Sequence, residues 1–277
     1  MKDKQHALIE PKSLTVLDDL QIRYFDLNSQ CSNAVILVHG NSLCSEVYIN
    51  QLSDPSLANH YRMIAFDLAG HGRSMPFRNN ETYSLTGYVD LLSHFIEALD
   101  LKSLVLVGHS LGGHICIEAT PKVKNLFGLV IFQTPPINSL ETICEAFTGA
   151  SNGIDYKGDI TSSEARQYAE LLCQSKRDII QSWVAQTDGN ARHYLGQSVE
   201  NGDFQDEIKL FNNLDIPKAI FHGLGDKLIT YEYLFNLNLS GLWQDRIIEI
   251  PHSTHSPQWE NPTAFNKELV SFLEGLY

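Results

Sequence analysis

Short apolar runs alternate with amphipathic stretches along most of the chain. The segments 34–40 (AVILVHG), 61–68 (YRMIAFDL), 103–110 (SLVLVGHS), 126–136 (LFGLVIFQTPP), 218–226 (KAIFHGLGD) and 246–253 (RIIEIPHS) are rich in β-branched residues and apolar at odd and even positions alike. Strands covered on both faces carry that pattern, so each segment predicts a buried strand ending in turn residues. Helices are predicted over 84–99, 111–124, 231–239 and 261–276. In the first of these, Val89, Leu92, Phe95, Ile96 and Leu99 recur at spacings of three and four on one face. Strand-helix alternation predicts an α/β fold, a mostly parallel central sheet with helices on both faces. The segments 13–18 and 21–27 alternate with no helix between them and predict an antiparallel hairpin at one edge of the sheet.

The rhythm breaks between Ile137 and Ile216, where no buried strand is evident. Polar and helical patterns take over, with helices predicted in SSEARQYAELLCQ and RDIIQSWVAQ. Roughly eighty residues far exceed an ordinary connection. The segment 137–216 therefore reads as an inserted helical cap, with residues 1–136 and 217–277 forming the core domain. No internal repeat or low-complexity tract interrupts the pattern.

Bulk properties narrow the partners. The 277 residues carry a formal net charge of -13, a poor footprint for nucleic acid or anionic lipid and more suited to a small neutral substrate. No apolar run approaches the roughly 18–20 residues needed to span a bilayer. The first twenty residues hold no apolar leader core. The five cysteines, Cys31, Cys44, Cys116, Cys144 and Cys173, are odd in number and form no C-x-x-C pair. They read as reduced thiols, and a cytoplasmic location is expected. Nothing here bears on the oligomeric state.

The chemistry concentrates at Gly108-His109-Ser110-Leu111-Gly112. This G-x-S-x-G run follows a predicted strand and opens a predicted helix, the setting of a nucleophile elbow. The sharp turn leaves no room for side chains at the flanking positions, hence the glycines. It lifts the serine hydroxyl above the sheet, and the helix N-terminus favours negative charge there. A serine hydroxyl needs a base, and the base needs an orienting group. Elbows of this kind are followed along the chain by an acid and then a histidine. Asp226, closing the strand segment 218–226, is the expected acid. His255, in the loop beyond the last strand, is the expected base, with His252 assigned to the strand terminus. The backbone N–H groups of Leu111 and Asn41 are the expected oxyanion donors. A zinc site at His252 and His255 would need a third ligand cluster, and none accompanies them; no metal and no organic cofactor is expected. His109, His114, His71 and His222 read as structural, the last two in turns.

Taken together, HGNS, FDLAGHGRS, GHSLGG, GLGD and HSPQWENP resemble the α/β-hydrolase superfamily in order and spacing, over roughly residues 20–275. Ala69 and Thr254 stand where that family often has proline and glycine. A narrower resemblance comes from HGNS with YSLTGYVDLL, SLGGHICIE, TPP, QTDGNAR and GLW, which look like the metal-independent N-acyl-homoserine-lactone lactonases of this fold. The resemblance implies lactone ring opening and gives Tyr168, on a cap helix, the role of hydrogen-bonding the substrate. In that group the triad acid can be glutamate; here it would be Asp226.

The expected activity is hydrolysis of a carboxylic ester or lactone through an acyl-enzyme, with N-acyl-homoserine lactones as the specific substrate. A general carboxylesterase and a C–C bond hydrolase would use the same residues. A non-catalytic ligand receptor would use the same scaffold.

Overall fold

The computed structural model describes residues 9–17 and 19–276. The first eight residues, part of the stretch read as lacking a leader, lie outside the described residues. Among the described residues eight strands form one sheet: β1 (Lys12–Val16), β2 (Leu20–Leu27), β3 (Asn33–Val38), β4 (Arg62–Phe66), β5 (Ser103–His109), β6 (Leu126–Phe132), β7 (Lys218–Gly223) and β8 (Ile248–Ile250). Their order is β1-β2-β4-β3-β5-β6-β7-β8. The β1–β2 hairpin at the edge is antiparallel, and β2 pairs antiparallel with β4. Every pairing from β4 across to β8 is parallel. This is the α/β-hydrolase architecture.

Apolarity at both parities has a direct consequence in the sheet. Ile36, Val38, Ile64, Phe66, Leu104, Leu106, Leu129 and Ile131 belong to one apolar cluster. Val35, Leu37, Met63, Ala65, Val105, Val107, Val130 and Phe132 belong to a second on the opposite face. Residues alternate between the two because successive strand side chains point to opposite faces.

The helices are α1 (Ile49–Leu52), α2 (Pro55–Ala58), α3 (Leu85–Ala98), α4 (Leu111–Ala119), α5 (Leu140–Ala146), α6 (Ser162–Leu172), α7 (Arg177–Gln186), α8 (Gly189–Glu200), α9 (Glu207–Asn212), α10 (Tyr231–Asn236), α11 (Pro257–Glu260) and α12 (Pro262–Glu274). The first face packs against α3 and α4, through Tyr88, Leu92, Phe95, Ile115 and Cys116. The second packs against α12, through Phe265, Leu269 and Phe272. Ser84 caps α3 by accepting the Gly87 N–H at 3.0 Å, and the predicted face is buried except for Leu99, which is the C-cap. The helix expected over 111–124 stops at Ala119, and a turn follows.

Five helices, α5 to α9, lie between β6 and β7. Thr161 and Glu164 form a capping box at the start of α6. Arg192 of α8 is buried and donates to the carbonyls of Lys157, Val184, Thr187 and Gly158. That single guanidinium ties α7, α8 and the loop before α6 together. The apolar residues Ile154, Tyr168, Leu172, Ile180 and Val184 of this segment continue the second core cluster.

Phe95 is fully buried, stacked on Phe66 with ring centroids 4.5 Å apart and edge-on to Tyr24 at 5.4 Å. Phe95→Ala is expected to destabilise the protein by about 3–5 kcal/mol, the usual loss for an emptied aromatic site. Urea unfolding monitored by circular dichroism would measure it, and a loss under 1 kcal/mol would contradict this packing.

Candidate active site

The chain leaves β3 towards β4 on one side and returns to β5 on the other. The carboxyl ends of β3 and β5 therefore border the crevice where the strand order reverses, the usual ligand position in open α/β sheets. Gly40 and Asn41 lie just beyond β3, and Ser110 lies just beyond β5.

Ser110 has φ 51° and ψ -119°, a conformation that is strained for any residue with a Cβ. The surroundings hold it there. The Ser110 N–H donates to Phe132 O at 3.0 Å, and its carbonyl accepts from Gly113 N–H at 2.8 Å and from the Thr134 hydroxyl at 3.0 Å. A side chain at Gly108 would strike the Gly112 carbonyl, and one at Gly112 would strike the Val38 carbonyl. Ser110 is thus presented at the N-terminus of α4, where Leu111 begins the first turn.

Asp226 follows β7 and His255 follows β8. The Nδ1 of His255 lies 2.8 Å from Asp226 Oδ2, with both side chains almost wholly buried. Asp226 Oδ1 accepts the Leu228 N–H at 2.7 Å. Burial pushes this carboxyl up, but the charge and hydrogen bond of His255, the Leu228 N–H and His222 together hold it below its ordinary value. An ionised Asp226 selects the His255 tautomer with the proton on Nδ1, leaving Nε2 free to accept one.

The same cavity is lined by Ser110, His255, Asn41, Leu111 and Tyr168. Asn41 is buried, and its side chain donates to the Asp155 carbonyl at 2.7 Å. Tyr168 is buried on α6, and burial pushes its phenol well above the ordinary value, so it stays protonated. The rest of the wall is largely apolar, including Leu85, Ile137, Ile143, Phe147 and Val199. The arrangement suits a neutral ligand with an apolar arm.

Several supporting residues carried no sequence signal. His39 donates from Nδ1 to Gly40 O at 2.8 Å and accepts the Leu68 N–H on Nε2 at 2.9 Å. It fixes the loop leading to Asn41, and burial lowers its pKa to about 4, keeping it neutral. His109 donates from Nε2 to the His255 carbonyl at 2.5 Å and stacks on Phe132. Glu260 accepts the Thr254 N–H at 2.5 Å and hydroxyl at 2.7 Å, and the Gln174 N–H at 2.7 Å. Asp155, Ser151 and Tyr156 also line the cavity. Two histidines differ from expectation. His222 lies in β7, stacked on Tyr231, where a turn was expected. His252 lies in an exposed turn with φ 54° beyond β8, which ends at Ile250, so Pro251 closes the strand earlier than expected. Among the described residues no group of three or more His, Cys, Asp or Glu side chains is placed to hold a metal. Among them too, no helix is long and apolar enough to cross a membrane.

A family model described as the alpha/beta hydrolase family matches residues 35–268. The non-heme chloroperoxidase of Burkholderia pyrrocinia is 22% identical over 280 residues, spanning 94% of this chain and 99% of that protein. The bifunctional esterase/perhydrolase DCH of Acinetobacter calcoaceticus is 22% identical over 277 residues, spanning 94% and 98%. Among solved structures, the N-acyl homoserine lactonase AidH complexed with N-butanoyl homoserine superposes with a TM-score of 0.90 at 25% identity, covering 97% of each chain.

One titrating cluster joins α4 to the start of α9 and the loop before it. His114 Nδ1 lies 2.9 Å from both carboxylate oxygens of Glu207, and Glu207 also accepts the Ile137 N–H at 3.0 Å. One turn on, Glu118 accepts the Gln205 N–H at 2.9 Å. Burial alone would lower the pKa of His114, but Glu207 and Glu118 raise it overall. Burial raises Glu118 from 4.5 to about 7. Both groups therefore bind protons more tightly in the folded state, and their contribution to stability is lost as pH rises. For Glu118 that loss runs from about pH 4.5 to about 7. Glu118→Gln should flatten this part of the stability profile. Thermal unfolding of both proteins across pH 4–8 would measure the difference, and parallel profiles would contradict the assignment.

Proposed function

This chain belongs to the alpha/beta hydrolase family, and on that premise we propose that it is a serine hydrolase opening the lactone ring of N-acyl homoserine lactones. The observation that carries the reading is the shared cavity of Ser110, His255, Asn41, Leu111 and Tyr168, with Asp226 bonded behind His255. The likeness to AidH supports the substrate, because it extends over 97% of the chain and so takes in the helices above the cavity.

In this mechanism His255 Nε2 accepts the Ser110 proton as Oγ attacks the lactone carbonyl. Asp226 holds the imidazole in its tautomer and balances the imidazolium that forms. The N–H groups of Asn41 and Leu111 receive the oxyanion, and each such donor contributes about 3–4 kcal/mol to the transition state. His255 then protonates the departing ring oxygen, which stays tethered to the acyl-enzyme. A water molecule, losing its proton to His255, adds to the acyl carbon. Collapse of that second intermediate returns the proton to Ser110 and releases the open hydroxy acid. The Tyr168 hydroxyl hydrogen-bonds the substrate from above. The reading requires no metal or organic cofactor, and the free cysteines support a cytoplasmic location.

A second reading, a carboxylesterase without preference for lactones, is favoured by the likeness to the esterase/perhydrolase. Turnover of N-acyl homoserine lactones of graded chain length against short p-nitrophenyl esters separates the two. A lactone product heavier by one water is expected, and kcat/KM confined to the open esters would sink the lactonase reading. Ser110→Ala should lower kcat by a factor on the order of 10⁶; retention of most activity would remove Ser110 from its role. Tyr168→Phe should lower kcat/KM for lactones by roughly tenfold, the worth of one neutral hydrogen bond, and no change would free Tyr168 of a substrate contact.

A further inference from the structure

We propose that Gln133 is a positioning residue for the triad, clamping the acid and the histidine loop to the end of β6. Gln133 is the first residue beyond β6 and is fully buried. Its three side-chain hydrogen bonds reach three places. Oε1 accepts the Gly223 N–H at 2.7 Å, at the end of β7. Nε2 donates to Asp226 Oδ2 and to the Thr254 carbonyl, the latter at 3.2 Å. The amide orientation is set by chemistry, since a backbone N–H can only donate and a carboxylate and a carbonyl can only accept. One planar group therefore fixes the origin of the Asp226 turn, the Asp226 carboxylate and the residue before His255.

The backbone supports a role beyond packing. Gln133 has φ 49°, in the left-handed region that disfavours a residue with a long side chain. Glycine or asparagine would sit there more easily. A strained residue persists where its surroundings over-determine it, and such residues gather at functional sites. Here the strained backbone aims the amide at the oxygen that also receives His255 Nδ1. A second donor on Oδ2 directs the carboxylate and disperses its charge, so Gln133 sets how strongly Asp226 holds the imidazolium.

The inference rests on the triad proposed above, and its test keeps the two separable. Gln133→Met preserves volume and removes all three side-chain hydrogen bonds; Gln133→Gly removes the side chain and relaxes the backbone. With a p-nitrophenyl ester, each folded variant is expected to lose roughly ten- to a hundredfold in kcat with KM changed less than threefold. The acidic limb of kcat/KM is expected to move to higher pH, because undispersed charge on Asp226 favours the protonated imidazole. A purely structural residue would lower the melting temperature and leave that limb in place. Unchanged kcat and limb in a folded variant, beside an inactive Ser110→Ala, would overturn the role of Gln133 alone. An active Ser110→Ala would overturn the triad and this inference with it. Failure of both variants to fold would assign Gln133 to the fold and overturn the positioning role.

Discussion

A carboxylate withdrawn from water must find donors or a counter-charge, and Asp226 finds three donors. His255, Leu228 and Gln133 surround its two oxygens. An unmatched charge in that position would take up a proton or force the loop open. Much of the upper sheet edge is arranged around this requirement. The ends of β6 and β7 meet across Gln133, and the loop after β8 is drawn in by His109 and Glu260. In the proposed mechanism Ser110 depends on that arrangement, because the imidazole is directed only as well as the carboxylate behind it.

The sheet provides the rigid frame. Two apolar faces fix the strand register, and the reversal of strand order brings the β3 and β5 ends to the same crevice. The elbow at Ser110 is held by backbone and hydroxyl bonds from β6 and Thr134. The strain at position 110 is thus borne by the middle of the sheet, the region least able to relax.

The sequence is most legible where local pattern dictates structure. The runs at β3 to β7 are apolar at both parities because both faces are covered, and each is a strand. The elbow is visible because its steric demands force glycine at fixed positions. Chain order singles out Asp226 and His255 as candidates, and the structure hydrogen-bonds one to the other. Gln133, Glu260 and His39 were silent, since a side chain that bonds distant backbone leaves no periodic trace. The short helices α5 and α9 lacked enough turns for an apolar stripe to show. His222 looked like a turn residue beside glycine, yet tertiary pairing with β8 keeps it in a strand.

The segment above the cavity shares its apolar underside with the main body. Ile154, Leu172, Ile180 and Val184 belong to the same continuous mass as Phe132 and Phe265, and Tyr83–Asp188 and Gln174–Glu260 bonds rivet its margins. Lifting that roof as one rigid flap would wet a large oily area at about 25 cal/mol per Å². Ile143 and Phe147 line the cavity and are only half-buried, so rotating those two side chains would expose far less of that area. Access would then turn on side-chain girth at those two positions, where a bulkier residue would narrow the way for a long molecule more than for a short one.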